Sequence, residues 1–298
     1  MTLASGVKKL FALAALLRIH HWIKNCLVAI PLFFSGRFFH LRELAGAAGA
    51  FLAFSAMSSA VYIFNDIRDI AGDRVHPEKR KRPLPSGAVS VRTAWVCFAV
   101  LMLFSILASL TLFPLCALLV LLIYFGLNLG YSIGLKNIPV IDFSILASGF
   151  VLRIFYGGAC CHVRISHWLF LCALTASLFM GIGKRRNELR RVGSDRGTRK
   201  VLTMYSEGFL DKSMYLSATL ALVFYSLWST SPAAVNPLMI YTVPVVLLLF
   251  FRYSLLIESK SSSGDPVNVL YGDRVLQSIA ALYALILLFL YLYRTPAE

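Results

Sequence analysis

The residues with the clearest chemical potential are three aspartates in the stretch 65–87, NDIRDIAGDRVHPEKRKRPLPSG. Asp66, Asp69 and Asp73 are spaced i, i+3 and i+7, so a continuing helix places all three carboxylates on one face. Three like charges on one face repel each other unless a cation lies between them. A hard divalent cation such as Mg²⁺ prefers oxygen ligands and shares them with substrate phosphates. The spacing therefore predicts a Mg²⁺ site formed by these three aspartates.

Basic residues follow the aspartates directly. Arginine and lysine make charge-assisted hydrogen bonds with phosphate oxygens, so this composition fits a polyanionic ligand held beside a metal. The alternative is a solvated cytoplasmic loop between membrane helices, where basic residues are expected in any case. That alternative accounts for the basic residues but not for three carboxylates in register at the end of an apolar helix. The basic residues are Arg74, Lys79, Arg80, Lys81 and Arg82.

The composition is that of a polytopic membrane protein. Of the 298 residues, 58% are apolar and 14% are charged, whereas a soluble domain carries about 25% charged residues. The net charge is +15, but this charge is concentrated in a few loops between apolar spans, which argues against a nucleic-acid partner. The six cysteines lie within or beside apolar runs and are interpreted as small apolar residues.

Apolar runs long enough to cross a bilayer predict an all-α bundle of nine transmembrane helices. The distribution of lysine and arginine places the N-terminus and the aspartates on the cytoplasmic side and the C-terminus outside. We expect one domain over residues 1–298, multi-pass in the plasma membrane. The predicted spans are 20–39, 44–66, 93–112, 114–133, 139–158, 166–184, 213–230, 237–257 and 274–293.

Ionisable residues also lie inside or at the ends of the predicted spans, where they are costly and are functional candidates by default. Lys24 lies one turn into the first span, and Lys136 follows the fourth. Asp142 and Arg153 lie in the fifth span, 11 residues apart, and share one helix face to within about 20°. Snorkelling is the alternative for the two lysines, and a structural ion pair with a carboxylate is the alternative for Arg153.

The sixth span ends in GIGKRRNELRR, residues 181–191. Lys184 and Glu188 are four residues apart and share a face. Cations are also expected at any helix C-terminus, so part of this cluster is ordinary. Glu188 is a candidate for completing the metal site. Walker and H-E-x-x-H motifs are absent from the sequence, and nothing in it indicates covalent catalysis.

The N-D-x-x-D-x-x-x-D motif at the end of the second predicted helix resembles the UbiA superfamily of intramembrane prenyltransferases. The resemblance covers about residues 22–274. It implies a motif that binds Mg²⁺ and a diphosphate in a cytoplasm-facing cavity open to lipid. The matching positions are Asn65, Asp66, Asp69 and Asp73.

Further motifs resemble the decaprenyl-phosphate phosphoribosyltransferase branch of that superfamily. They are H-W-I-K-N, H-P-x-K-R-x-R-P, Y-S-x-G-L-K, the Asp and Arg of the fifth span, and G-K-R-x-x-E. The second acidic motif of most members, D-x-x-x-D, is replaced here by the basic sequence 183–188. The resemblance implies phosphoribosyl pyrophosphate as the donor, a polyprenyl phosphate as the acceptor, and a product that leads to lipid-linked arabinose.

The motifs and the resemblance together assign the site residues. Catalysis is expected from Asp66, Asp69 and Asp73 as Mg²⁺ ligands, with Lys184 and Arg185 on phosphates. Since a lipid phosphate is already ionised at neutral pH, no general base is required. The predicted substrate-binding residues are Lys24, Asn65, Lys79, Arg80, Arg82, Tyr131, Lys136, Asp142, Arg153 and Glu188.

Two other functions remain open at this stage. An aromatic prenyltransferase of quinone biosynthesis would share the metal site but take an allylic diphosphate and 4-hydroxybenzoate. A lipid or metabolite transporter belongs to a different class. The ionisable groups are concentrated on one side of the predicted membrane, which argues against a transporter, because transporters place their sites near the membrane midplane. A homo-oligomer is compatible with the sequence.

Overall fold

The computed structural model describes residues 3–38, 40–75, 77–192, 200–232, 234, 236–258 and 266–293. Within these ranges all regular structure is helical. Seven of the described helices are long and apolar enough to cross a membrane, or eight if the bent pair Leu10–Leu17 and Ile19–Phe34 counts as one span. The predicted all-α membrane bundle is confirmed. The number of nine spans and the orientation of the termini stay predictions.

Twelve α-helices occupy most of the described chain. Short 3₁₀ segments lie between them, at Ile19–Ala29, Lys79–Lys81, Leu135–Asn137, Lys200–Met204 and Pro237–Thr242. The α-helices are α1 Leu3–Leu17, α2 Ile30–Phe34, α3 Leu41–Arg68, α4 Ile70–Val75, α5 Val91–Leu112, α6 Leu115–Ile133, α7 Ile141–Cys160, α8 His167–Val192, α9 Glu207–Ser229, α10 Val243–Glu258, α11 Pro266–Gly272 and α12 Arg274–Leu292.

Helix ends follow local sequence signals. Ser90 is the N-cap of α5, and its hydroxyl accepts a hydrogen bond from the N–H of Thr93, which satisfies a free N–H of the first turn. Pro114 separates α5 from α6, because proline lacks a backbone N–H to continue the ladder. The predicted span 213–230 corresponds to α9, which is 23 residues long but is not among the seven apolar helices. Charged and hydroxyl residues interrupt its apolar sequence.

The chain divides into two compact units, and each is described separately. Unit 1 comprises Met1–Ile30, Leu41–Ile133 and Leu152–His162. Unit 2 comprises Pro31–His40, Gly134–Val151 and Val163–Glu298. That these units belong to one domain over residues 1–298 stays a prediction.

Unit 1 is built around α3. Its central part is rich in alanine and serine and is almost fully buried, because small side chains let neighbouring helices approach closely in a membrane protein. The hydroxyl of Ser105 on α5 donates a hydrogen bond to the carbonyl oxygen of Ala53 at 2.7 Å. Phe54 and Met57 pack with Tyr124 in the same core. This packing fixes α3, and with it the aspartates at its end.

Unit 2 is built around the pair α8 and α9, with α10 and α12 packed beside it. Phe179, Met214, Ile257 and Leu276 form part of its buried core. A Cβ on Gly183 would lie 2.9 Å from Cδ1 of Ile257, so the glycine allows α10 to approach α8 closely. This close packing against α10 fixes the position of the basic C-terminal end of α8.

Replacing Gly157 in α7 with alanine is expected to lower the free energy of unfolding by about 1–3 kcal/mol, the usual cost of overpacking. A Cβ at this position would lie 1.8 Å from the backbone oxygen of Val28, so the backbone must move. Gly126→Ala in α6 is the matched control, because no atom lies within 4 Å of its Cβ position. Thermal unfolding in detergent measures both, and equal melting temperatures would contradict the packing.

Candidate active site

The aspartate motif lies where α3 passes into α4. α3 ends at Arg68, and α4 begins two residues later. The N–H of Asp69 still bonds to the carbonyl oxygen of Asn65 at 3.0 Å, and the N–H of Asp73 to that of Asp69 at 2.8 Å. The i to i−4 pattern of a helix therefore continues through the break, as the spacing predicts. Asp66 and Asp73 are buried, with 2% and 4% of their surface exposed.

Arginine side chains neutralise these two carboxylates. Nη1 of Arg82 lies 3.3 Å from Oδ1 of Asp66 and 2.6 Å from Oδ2 of Asp73. Nη2 of Arg18 lies 2.5 Å from the same Oδ1 of Asp66. Nζ of Lys79 lies 3.8 Å from Oδ1 of Asp73. Two buried carboxylates thus converge on one cationic nitrogen.

The donor set fits Mg²⁺, although it is not arranged as a finished metal site. Among the described residues, no group of three or more His, Cys, Asp or Glu side chains is placed to hold a metal ion. Asp66 and Asp73 are joined through Arg82 instead, and Asp69 is half-buried. The carboxylate oxygens of Asp66 and Asp73 both contact one cationic group, Arg82. Carboxylate oxygens are also the ligands that a hard divalent ion such as Mg²⁺ prefers. The predicted ligand set therefore requires Arg82 to move.

The motif is anchored to the end of α6. The hydroxyl of Ser132 donates a hydrogen bond to Oδ1 of Asn65 at 3.0 Å. Nη2 of Arg68 donates to the carbonyl oxygen of Ile133 at 3.3 Å. Asn65 therefore acts here by fixing the helix that carries the aspartates, and the half-buried Tyr131 lies one residue from this contact.

The segment before α2 is a 3₁₀ helix of 11 residues, Ile19–Ala29. A 3₁₀ helix has three residues per turn, so every third residue faces the same way. Trp22 donates a hydrogen bond from Nε1 to the hydroxyl of Ser59 at 3.0 Å, and Asn25 donates to the hydroxyl of Ser55 at 2.9 Å. Sequence reasoning treated this segment as an ordinary span and missed its winding, which contacts with the serines of α3 determine.

Arg153 lies buried inside unit 1 rather than next to Asp142. Its Nε donates to Oδ1 of Asn25 at 2.8 Å, and its Nη2 donates to the hydroxyl of Tyr124 at 3.4 Å. The guanidinium also stacks on the rings of Phe54 and Tyr124, 5.0 and 5.1 Å from their centres, a favourable cation–π arrangement. Two helix residues that share a face by spacing therefore take different partners.

A second cluster of charged residues surrounds Arg185 in unit 2. Arg185 and Asp142 are both fully buried, with Nε of Arg185 2.5 Å from Oδ2 of Asp142. Nη1 of Arg185 lies 2.5 Å from Oε2 of Glu188. The predicted phosphate-binding arginine is therefore held by two carboxylates, and the candidate metal ligand Glu188 is one of them. Whether these residues contact substrate stays a prediction.

Tyr205 completes this cluster, and sequence reasoning missed it. Its hydroxyl donates to Oδ1 of Asp142 at 2.5 Å and accepts from the N–H of Val140 at 2.6 Å. Val140 has a φ of 68°, which is strained for a β-branched residue. Burial and the hydrogen bond to Asp142 raise the pKa of Tyr205, so this hydroxyl stays protonated as a donor. No motif links residue 205 to residue 142, so no local signal could have found it.

The remaining predicted residues lie in both units. In unit 1, Lys24 is half-buried in the 3₁₀ segment Ile19–Ala29, and Arg80 is exposed in the 3₁₀ segment Lys79–Lys81. In unit 2, Lys136 is half-buried in the turn Leu135–Asn137, and Lys184 is half-buried on α8. Arg186, which follows Arg185 in α8, pairs with Asp211 on α9.

Replacing Tyr205 with phenylalanine is expected to lower the free energy of unfolding by about 1–3 kcal/mol, the cost of leaving buried polar partners unsatisfied. Tyr215→Phe is the control, because its hydroxyl bonds to Glu258 in an exposed setting, where substitutions usually change stability by about 0.5 kcal/mol or less. Thermal unfolding of both variants tests the difference. A Tyr205→Phe protein as stable as the control would show that the Tyr205 hydroxyl contributes nothing to stability.

Comparison with known proteins gives consistent results. The sequence profile of the UbiA prenyltransferase family matches residues 25–271. A decaprenyl-phosphate phosphoribosyltransferase of Mycobacterium tuberculosis is 33% identical over 273 residues, covering 89% of both chains. The enzyme of the same name from Mycolicibacterium smegmatis is 35% identical over 277 residues, covering 87% of this chain and 86% of the relative. A solved UbiA homolog from Archaeoglobus fulgidus, bound to GPP and Mg²⁺, has a TM-score of 0.71 at 18% identity, covering 94% of this chain and 99% of its own.

Proposed function

Because the chain belongs to the UbiA prenyltransferase family, we propose that it transfers 5-phosphoribose from phosphoribosyl pyrophosphate to a polyprenyl phosphate. The observation that carries this proposal is the 33% identity, over 89% of the chain, to a protein named decaprenyl-phosphate phosphoribosyltransferase. The site supports the proposal because its buried carboxylates are surrounded by arginine and lysine, as a substrate pair with several phosphates requires.

The aspartates are the proposed Mg²⁺ ligands. Asp66 and Asp73, with Asp69, would hold the ion on the pyrophosphate of the donor, where Mg²⁺ neutralises charge on the leaving group. The Archaeoglobus homolog was solved with Mg²⁺ bound, which supports the same metal here. Asn65 acts by fixing the end of α3 through Ser132.

Basic residues are proposed to bind the phosphates. In unit 1, Lys79, Arg80 and Arg82 follow the metal ligands and are assigned to the donor pyrophosphate. Tyr131 is proposed as a hydrogen-bonding residue. Five further basic residues are proposed to bind the donor 5-phosphate or the lipid phosphate. They are Lys24 and Arg153 in unit 1, and Lys136, Lys184 and Arg185 in unit 2, where Asp142 and Glu188 orient Arg185.

The reaction then needs positioning and charge stabilisation rather than proton transfer. An oxygen of the lipid phosphate attacks C1 of the ribose, and the bond from C1 to the pyrophosphate oxygen breaks. Pyrophosphate leaves with the electron pair of that bond. Attack from the face opposite the leaving group inverts the configuration at C1. The lysine and arginine distribution supports a cytoplasmic site in the plasma membrane.

A product assay tests the proposal. Membranes from expressing cells receive radiolabelled phosphoribosyl pyrophosphate, Mg²⁺ and a polyprenyl phosphate, and lipids are then extracted. We expect Mg²⁺-dependent label in the lipid fraction, absent with Asp66→Ala. Label absent from lipid, with prenylation of 4-hydroxybenzoate from a polyprenyl diphosphate, would make the protein an aromatic prenyltransferase. Uptake into vesicles without a covalent product would make it a transporter.

A further inference from the structure

Arg82 places one nitrogen between the two buried carboxylates of the motif. Its Nη1 lies 3.3 Å from Oδ1 of Asp66 and 2.6 Å from Oδ2 of Asp73. A Mg²⁺ ion lies about 2.1 Å from its oxygen ligands, so an ion that bridges these carboxylates would take the volume that this nitrogen holds. Metal and guanidinium therefore exclude each other at this position, both by volume and by charge.

Arg18 contacts the same site but is held differently. Its Nη2 lies 2.5 Å from Oδ1 of Asp66, and its guanidinium stacks 4.8 Å from the ring centre of Tyr62. The side chain of Arg18 is 16% exposed, whereas that of Arg82 is 30% exposed. Arg18 is the more fixed partner of Asp66, and Arg82 is the partner that can leave.

We propose that Arg82 is an exchangeable counter-ion that occupies the cation position before Mg²⁺ binds and then moves to the pyrophosphate oxygens, while Arg18 stays on Asp66. This inference rests on the proposed function. A guanidinium displaced beside Mg²⁺ opposes the binding of metal alone. A pyrophosphate relieves this repulsion, since its oxygens accept hydrogen bonds from arginine. Metal and pyrophosphate therefore bind with positive coupling, and Arg82 is the residue that creates it.

The proposal predicts opposite effects of one substitution on two binding constants. Mn²⁺ serves as the probe, and its binding to the purified full chain is measured by electron paramagnetic resonance of the free ion. Arg82→Gln is expected to bind Mn²⁺ alone about tenfold more tightly, since its competitor is gone, and to bind the Mg²⁺–pyrophosphate complex about tenfold more weakly. The tenfold size corresponds to one charge-assisted hydrogen bond. Loss of a merely structural contact would not move the two constants in opposite directions.

Arg92→Gln is the matched control. Arg92 is exposed in the first turn of α5, so this variant removes the same charge from the same unit. We expect both binding constants to stay within about twofold of the wild type. A control that reproduces the tighter Mn²⁺ binding would assign the effect to net charge and would overturn the role of Arg82.

Thermal stability gives a second readout if Arg82→Gln is unstable. Two buried carboxylates that lose the cation they share destabilise the fold, and a metal that replaces Arg82 restores stability by mass action. Mn²⁺ is therefore expected to raise the melting temperature of Arg82→Gln more than that of the wild type. If the wild type binds Mn²⁺ but the ion fails to do so, or if Arg82→Gln binds Mn²⁺ no more tightly than the wild type, the exchange is overturned and the metal site stays in place. A wild type that binds no Mn²⁺, with or without pyrophosphate, overturns both the exchange and the proposed metal ligands.

Discussion

Asp73→Asn is expected to reduce phosphoribosyl transfer by about a thousandfold. Asparagine keeps the shape of the side chain but removes one of the two buried carboxylates that converge on a single cation. A metal held by fewer carboxylates stabilises the leaving group less, by several kcal/mol. A loss of that size corresponds to a rate about a thousandfold lower. Product formation from labelled phosphoribosyl pyrophosphate, at several Mg²⁺ concentrations, measures the loss.

The control for this variant is Glu78→Gln. Glu78 is exposed in the turn after α4 and lies outside the N-D-x-x-D-x-x-x-D motif, so its substitution removes an equal charge without removing a proposed ligand. We expect its turnover to stay within about twofold of the wild type. Folding of Asp73→Asn is checked by its melting temperature, which should fall by only a few degrees, because Arg82 keeps Asp66 and is partly exposed. An Asp73→Asn enzyme of wild-type rate would contradict the metal assignment.

Asp142→Asn is expected to lower the free energy of unfolding by about 3–5 kcal/mol, the cost of breaking a buried ion pair from one side. Arg185 is fully buried, so its charge would lose the carboxylate that faces Nε while its donor to Glu188 remains. Tyr205 would lose a carboxylate acceptor at the same time. Thermal unfolding in detergent measures the effect.

The exposed pair of Arg190 and Glu207 provides the comparison. Both side chains are close to half exposed, so Glu207→Gln is expected to cost about 0–1 kcal/mol. If Asp142→Asn and Glu207→Gln lowered the free energy of unfolding equally, the predicted stabilisation by the buried Asp142–Arg185 pair would be wrong.

A double variant separates structure from catalysis at this pair. Replacing Asp142 with leucine and Arg185 with methionine removes both charges, and such replacements of buried ion pairs are often neutral or stabilising. We expect this protein to recover most of the lost stability and to remain inactive, because Arg185 is proposed to bind phosphate. A stable double variant with wild-type turnover would make Arg185 a purely structural residue.

Local spacing was sufficient for the class of protein and for the helical register of the aspartate motif. Apolar runs predict membrane helices because a bilayer core demands about 20 apolar residues, and seven such helices are present in the described chain. The three aspartates share a face because helix geometry repeats every 3.6 residues. That pattern persists through the break between α3 and α4. The resemblance to the UbiA family rests on the same stretch.

The tertiary structure alone decided which charges meet. Arg18 reaches Asp66 across 48 residues of chain, and Tyr205 reaches Asp142 across 63. Asp142 and Arg153 share a face by spacing, but 11 residues of helical rise separate them by about 16 Å, so each takes its partners from other helices. Spacing determines the direction of a side chain on its own helix. Its partner depends on which other helix packs against that face, and a buried charge takes the partner that packing supplies.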